Sequence, residues 1–302
     1  MRYPFRLSVE ETTPAGLRHR AEAAAAVLPP LLVAAERVAA TVAQGVHGRR
    51  RVGQGDTFWQ YRRYQTGDAA NQIDWRQSAK TQAAYVRENE WEAAQTVWLW
   101  TDLSASMRYS SSPEWPEKVE RAAVLTLALA VLLVRGGERV ALLGHGIAPS
   151  AGRAVLNRMA AALARPDDGR DGLPAIAPLP RHARLVVVGD FLSPPDAVER
   201  VVRAYAAHGV RGHLVQVLDP SEETLPFRGR VRFRGLEGEG DLLVGRTEAL
   251  RDDYVALLGQ HRAAIADIAR AVGWTWACHR TDRPPQSALL TLHAGLSIGA
   301  GA

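Results

Sequence analysis

With 302 residues and a 47% hydrophobic share, the chain can bury the core of one large domain or two modest ones. Its net charge of +5, from 37 basic residues against 32 acidic, is too slight to demand a nucleic-acid or membrane partner. A single cysteine, Cys278, excludes an intrachain disulfide and leaves no case for a cysteine-based zinc site.

The first residues, MRYPFRLSVEETTP, lack a basic segment leading into an apolar run, so no secretory leader is expected. Ala23 to Ala35, interrupted by Pro29-Pro30, and Ala122 to Val134 are both shorter than the roughly 20 apolar residues that a membrane span requires. A soluble, cytoplasmic protein is the expectation. Residues 14–44 are alanine-rich and helical in pattern, divided by the two prolines. A basic, glycine-punctuated loop follows to Gly55, then an aromatic and turn-rich block, then a candidate strand from Ala84 to Glu92.

From Thr96 the pattern becomes regular. TVWLWT (Thr96–Thr101) reads as a buried strand, and Pro116–Val134 as a long helix with acids early and Arg135 late, stopped by Gly136-Gly137. Arg139–Leu143 is a strand and Ala151–Arg165 a helix with Val155, Leu156, Met159, Ala162 and Leu163 on one face. Arg184–Val188, Gly212–Leu218 and Trp274–His279 are strands. Pro195–His208, Glu248–Val272 and Gln286–Leu296 are helices, and Gly229–Gly245 is a hairpin. Cys278 falls in the last strand and reads as an inert core thiol. The alternation predicts an α/β fold, a mostly parallel sheet with helices on both faces and its strand carboxyl ends along one edge. Residues 1–92 form an N-terminal extension to the main domain at 93–302, which carries the hairpin insertion near 229–245.

The chemistry concentrates in Asp102-Leu103-Ser104-Ala105-Ser106, directly after the first regular strand. One carboxylate and two hydroxyls at alternate positions of a tight loop are hard oxygen donors of the kind Mg²⁺ or another divalent cation takes. Asp190 ends a later strand and adds a second carboxylate. The plainer reading is that Ser104 and Ser106 cap a helix or line a turn.

DLSASM resembles the metal-ion-dependent adhesion motif of von Willebrand factor A domains, and VVVGDF resembles the later aspartate loop of that fold. The block YRRYQTGDAANQIDWRQSAKTQAAYVRENEWE, with VQVLDPSEETLPFRGRVRF and GWTWACHRTDRPPQSALLTL, resembles the bacterial family called domain of unknown function 58. That resemblance implies a von Willebrand factor A-like fold and a cytosolic adaptor or chaperone-like role beside MoxR-type AAA+ ATPases. It also implies a metal site at Asp102, Ser104, Ser106 and Asp190, with room for an acidic side chain of a partner. A threonine usually completes such a site, but none occurs between Thr126 and Thr224; Asp168 or Asp171 is the candidate replacement, and the alternative is a weakened site or one used without metal as a polar contact surface.

Arg62, Arg63, Tyr64, Asp68, Asp74, Trp75 and Arg76 form a second cluster. The segment Gly45–Arg87 carries eight basic residues and three acidic ones, an excess equal to the net charge of the whole chain. Internal ion pairing, a partner-binding surface rich in Arg, Tyr and Trp, and a nucleic-acid surface along Arg49–Arg63 are the competing readings. No GxxxxGK[ST], HExxH or GxSxG motif occurs. The expectation is a non-catalytic interaction module. A nucleic-acid binder and a metal-dependent phosphoesterase are the alternatives.

Overall fold

The computed structural model describes residues 31–43, 58–64, 73–80, 83–89, 95–165, 172–235 and 240–298. The long apolar runs of the sequence form the middle of a six-stranded sheet: β3 (Thr96–Thr101), β4 (Arg139–Leu142), β5 (Ile147–Ser150), β6 (Arg184–Gly189), β7 (Arg211–Leu218) and β10 (Thr275–Arg280). Their order is β10-β7-β6-β3-β4-β5, parallel throughout except for β5. Burial on both faces explains why β3, β6 and β7 read as near-continuous hydrophobic runs.

The strand period of two divides those side chains between two cores. Val97, Leu99, Val186, Val188, Val215 and Val217 meet α3 (Lys118–Arg135), α4 (Arg153–Leu163) and α8 (Pro285–Ile298) on one face. Trp100, Leu185, Val187 and Leu214 meet α5 (Pro195–Ala207) and α7 (Arg251–Ala271) on the other. Helix α3 is apolar nearly all round because the sheet, α4 and α8 enclose it. A buried hydroxyl pair, Thr101 Oγ1 to Thr126 Oγ1 at 2.7 Å, joins it to β3.

A helix at residues 31–43, α1, belongs to the first core through Leu32, Ala35, Val38, Ala39 and Val42. It therefore packs with the main domain although it precedes the boundary expected at residue 92. A small separate unit holds β1 (Phe58–Arg63) antiparallel to β2 (Tyr85–Asn89), with the one-turn helix α2 (Trp75–Ser78) beside them. The expected hairpin is present as β8 (Val231–Arg234) and β9 (Asp241–Val244). Among the described residues, no helix is long and apolar enough to cross a membrane.

Two elements escape the sequence pattern. Strand β5 is a short antiparallel edge carrying Pro149, a residue tolerated only where a ladder hydrogen bond is not needed. Helix α6 (Pro220–Thr224) is a single capped turn, too short for periodicity to show. One expectation is corrected: β10 is an edge strand, and Cys278 is exposed rather than in the core. Trp274, directly before the strand, is the buried member of this run: its ring lies against Gly212 and its indole N–H donates to the Val210 carbonyl at 3.0 Å.

A Cβ at Gly212 would stand 2.1 Å from the Trp274 ring. Gly212→Ala is expected to lower stability by about 1–3 kcal/mol, the usual cost of overpacking, measured by denaturant unfolding. A second prediction comes from two buried histidines. His213 (its Nδ1 2.7 Å from Thr275 Oγ1) is held down to about 4 by burial and by Arg184. His279 is held down to about 4 by burial and by Arg121, against the pull of Asp282, and among the described residues its Nε2 has no hydrogen-bond partner. Folding favours the neutral ring in both cases. The stabilisation is thus complete above the unfolded value near 6.5 and is lost as the pH falls toward 4. Unfolding free energy should drop by roughly 2 kcal/mol per histidine between pH 7 and 5. His279→Gln should remove about half of that slope.

Candidate functional site at the strand carboxyl ends

The chain leaves β3 toward β4 on one side, then returns to lay β6 on the other side of β3. The helices after β3 and β6 lie on opposite faces. The carboxyl ends of these two strands therefore flank a topological switch point, where open α/β sheets form their crevices. Asp102 and Asp190 are the residues that follow the two strands.

Asp102 is fully buried, and its N–H donates to the Val188 carbonyl at 2.8 Å. Its Oδ1 accepts the Ser104 N–H at 2.9 Å, which closes the loop. Gly189 permits the approach of the two strand ends, because a Cβ there would lie 3.0 Å from the Asp102 Cβ. The next turn, a 3₁₀ segment at Ala105–Met107, is pinned by the buried Met107 and turns Ser106 back toward β6. Ser104 Oγ and Ser106 Oγ are 3.1 Å apart, and Ser106 Oγ donates to Asp190 Oδ2 at 2.9 Å.

Asp190 is oriented from several sides. Its Oδ1 accepts the Leu192 N–H at 3.2 Å, and its carbonyl accepts the buried Gln216 amide at 2.8 Å. The following residue, Phe191, takes a left-handed φ of 51°, which is rare for a bulky side chain. Burial of its ring, edge-to-face with Trp276 at 5.4 Å, and donation from His261 Nε2 to its carbonyl at 2.7 Å hold it there. Ser104, Ser106 and Asp190 are thus linked across two strand ends, and the Asp102 side chain lies against Gly189, the residue before Asp190. Asp168 and Asp171 lie outside the described residues.

The sequence reading missed what stands beside them. Lys118, the first residue of α3, sends its ammonium to 3.0 Å from Asp190 Oδ2 and 2.6 Å from Glu222 Oε1, with 0% of its side chain exposed. Burial alone would lower its pKa, but the two carboxylates outweigh burial and hold it above the usual lysine value. At Glu222 burial wins over the attraction of Lys118, and the carboxyl sits above its ordinary range.

Glu222 belongs to a capping box on α6. Its Oε2 accepts the Asp219 N–H at 2.8 Å, while Asp219 Oδ1 accepts the Ser221 N–H at 2.8 Å. Asp219 Oδ2 accepts the Ser111 N–H at 3.0 Å, so the loop after β3 is tied to the end of β7. Burial pushes the Asp219 carboxyl up, but the hydrogen bonds from Ser111 and Ser221 prevail and leave it below its ordinary value. Tyr109 OH to Ser221 Oγ at 2.8 Å and Tyr254 OH to the Glu222 carbonyl at 2.6 Å complete the lattice.

Among the described residues there is no group of three or more His, Cys, Asp or Glu side chains suited to a metal ion. The oxygens of Asp190 are engaged by protein donors, one of them a full positive charge. A divalent ion does not fit this arrangement while Lys118 remains in it.

The second predicted cluster is split. Asp74 caps α2 by accepting the Gln77 N–H at 2.9 Å, and Arg63, Tyr64, Trp75 and Arg76 are exposed. The Tyr64 N–H donates to the Ala84 carbonyl at 2.8 Å and the Asp74 N–H to the Tyr85 carbonyl at 2.9 Å, so both segments are fastened to the start of β2. The backbone of Arg62 pairs with Val86. Asp68 and Arg49–Arg51 lie outside the described residues.

The fold and site define a mostly parallel α/β protein with a buried polar cup at the switch point of its sheet. The chain belongs to the family described as protein of unknown function DUF58, whose model matches residues 60–264. It is 31% identical over 247 residues to the uncharacterized proteins Rv1480 of Mycobacterium tuberculosis and Mb1516 of Mycobacterium bovis, covering 76% of each chain. Two solved structures also align: the conserved hypothetical protein BatB from Bacteroides thetaiotaomicron and an aerotolerance-related membrane protein from Bacteroides fragilis. The first is 16% identical with TM-score 0.40, covering 69% of this chain and all of that one. The second is 14% identical with TM-score 0.41, covering 68% of this chain and all of that one.

Asp219→Ala removes the α6 cap and the Ser111 anchor together. It should cost about 2 kcal/mol in equilibrium unfolding, and Asp219→Asn should cost less, because an amide oxygen still accepts one N–H.

Proposed function

We propose that this protein is a non-catalytic protein-interaction module of von Willebrand factor A-like fold that works as an adaptor. The observation that carries the reading is Trp75, 68% exposed on a one-turn helix whose start is locked by Asp74. A large indole costs free energy in water, and a short helix fastened to β2 at its start presents it. Arg63, Tyr64 and Arg76 are exposed on the same small unit, and Trp, Tyr and Arg are the residue types that dominate binding hot spots.

The strand-end cup supports a non-catalytic role in its own way. Asp190, Asp219 and Glu222 all accept hydrogen bonds from protein groups, which is consistent with carboxylates that serve architecture. The family resemblance makes a MoxR-type AAA+ ATPase the first partner to test.

The experiment is binding of the full chain to the purified ATPase by biolayer interferometry, with wild type and Trp75→Ala. Affinity should fall by at least about tenfold, as for a hot-spot aromatic, with an unchanged melting temperature because the side chain is exposed. Equal affinity of the two forms would defeat docking through this surface.

A further inference from the structure

We infer that Lys118 is the resident cation of the strand-end cup, a covalently attached replacement for the divalent ion that the donor pattern calls for. The inference stands whether or not the chain docks through Trp75.

The donor pattern itself is one a metal would use. Two hydroxyl oxygens stand 3.1 Å apart, and one of them is bonded to a carboxylate from a second strand end. Yet the cation in contact with that carboxylate belongs to the protein. Lys118 Nζ and Ser106 Oγ lie 3.0 and 2.9 Å from the same atom, Asp190 Oδ2. A Mg²⁺ ion bound to that oxygen at about 2.1 Å could stand at most about 5 Å from the Nζ of a fully buried side chain. Two cations that close in a buried place repel strongly.

The position of Lys118 argues the same way. A helix N-terminus repels positive charge, and burying an ammonium is costly. Lys118 endures both as the first residue of α3. The two carboxylates it bridges are what repay those costs. The residue type is informative too: Lys118 is one of only two lysines among 37 basic residues. A lysine offers a compact point charge on a slim stem, closer to a bound ion than the broad planar guanidinium is.

The test is titration of the full chain with Mn²⁺, followed by electron paramagnetic resonance of the free ion, in wild type, Lys118→Met and Lys118→Met/Asp190→Asn. Wild type should show no saturable uptake. Lys118→Met should bind about one equivalent, at least tenfold tighter than wild type, and the double variant should lose it again. Uptake by wild type that disappears in Asp102→Asn would overturn the inference, as would a folded Lys118→Met that takes up none. Should Lys118→Met be too unstable to titrate, thermal melting of Lys118→Gln replaces it. Its midpoint should rise with Mn²⁺ and fall with chelator while that of wild type moves with neither. Equal shifts in the two proteins would overturn the inference.

Discussion

One buried ammonium holds three strand ends together. Lys118 touches Asp190 after β6 and Glu222 after β7, and it begins the helix that follows β3. Its backbone N–H also donates to the Tyr109 carbonyl at 3.1 Å, so the loop after β3 is drawn into the same junction. Breaking a buried pair by removing one partner typically costs about 3–5 kcal/mol, because the remaining charge is stranded. Here two carboxylates would be stranded at once. That asymmetry, more than any net stabilisation, favours the one arrangement that brings both carboxylates to the ammonium.

The sheet makes the junction possible. β3, β6 and β7 are adjacent in the middle of the sheet and parallel, so Asp102, Asp190 and Asp219 emerge at one edge. Gly189 lets the first two strand ends close to within van der Waals range, and the left-handed turn at Phe191 directs the chain away immediately after Asp190. A non-glycine residue in that region costs of order 1–3 kcal/mol and persists only where its surroundings insist on it. The Phe191–Trp276 contact and the His261 hydrogen bond supply that insistence from β10 and α7. The second core thus braces the aspartate that the first helix layer neutralises.

Most of the fold was legible because burial on two faces leaves an unmistakable trace. TVWLWT, RLVVV and the apolar length of α3 were sufficient for the parallel α/β order and for the placing of Asp102 and Asp190 at one edge. Strand β5 and helix α6 were not legible, since four or five residues contain too little of either period. Trp274 to Cys278 looked like a buried strand because composition reports apolarity but not which side of a strand lacks a neighbour. Asp219-Pro220 with Glu222 three positions after Asp219 is a capping-box pattern that could have been read in advance. Lys118 left a fainter sign, a lone lysine at a helix start in a chain that otherwise uses arginine. Its partners lie 72 and 104 residues away, and no local pattern connects them.

The cup and the Arg/Trp unit divide two physical tasks. Asp102, Asp190, Asp219 and Lys118 are all buried, so electrostatic interactions among them are strong and weakly screened by salt. Trp75 is the opposite case, a large apolar surface left in water on a one-turn helix that has no buried residue of its own. A residue in that position gains nothing from the fold that carries it. Its helix is held at its start by the Asp74 cap and the hydrogen bond from the Asp74 N–H to Tyr85. The buried cup ties the strand ends of the scaffold together, and the indole of Trp75 is a large apolar group that this scaffold leaves exposed.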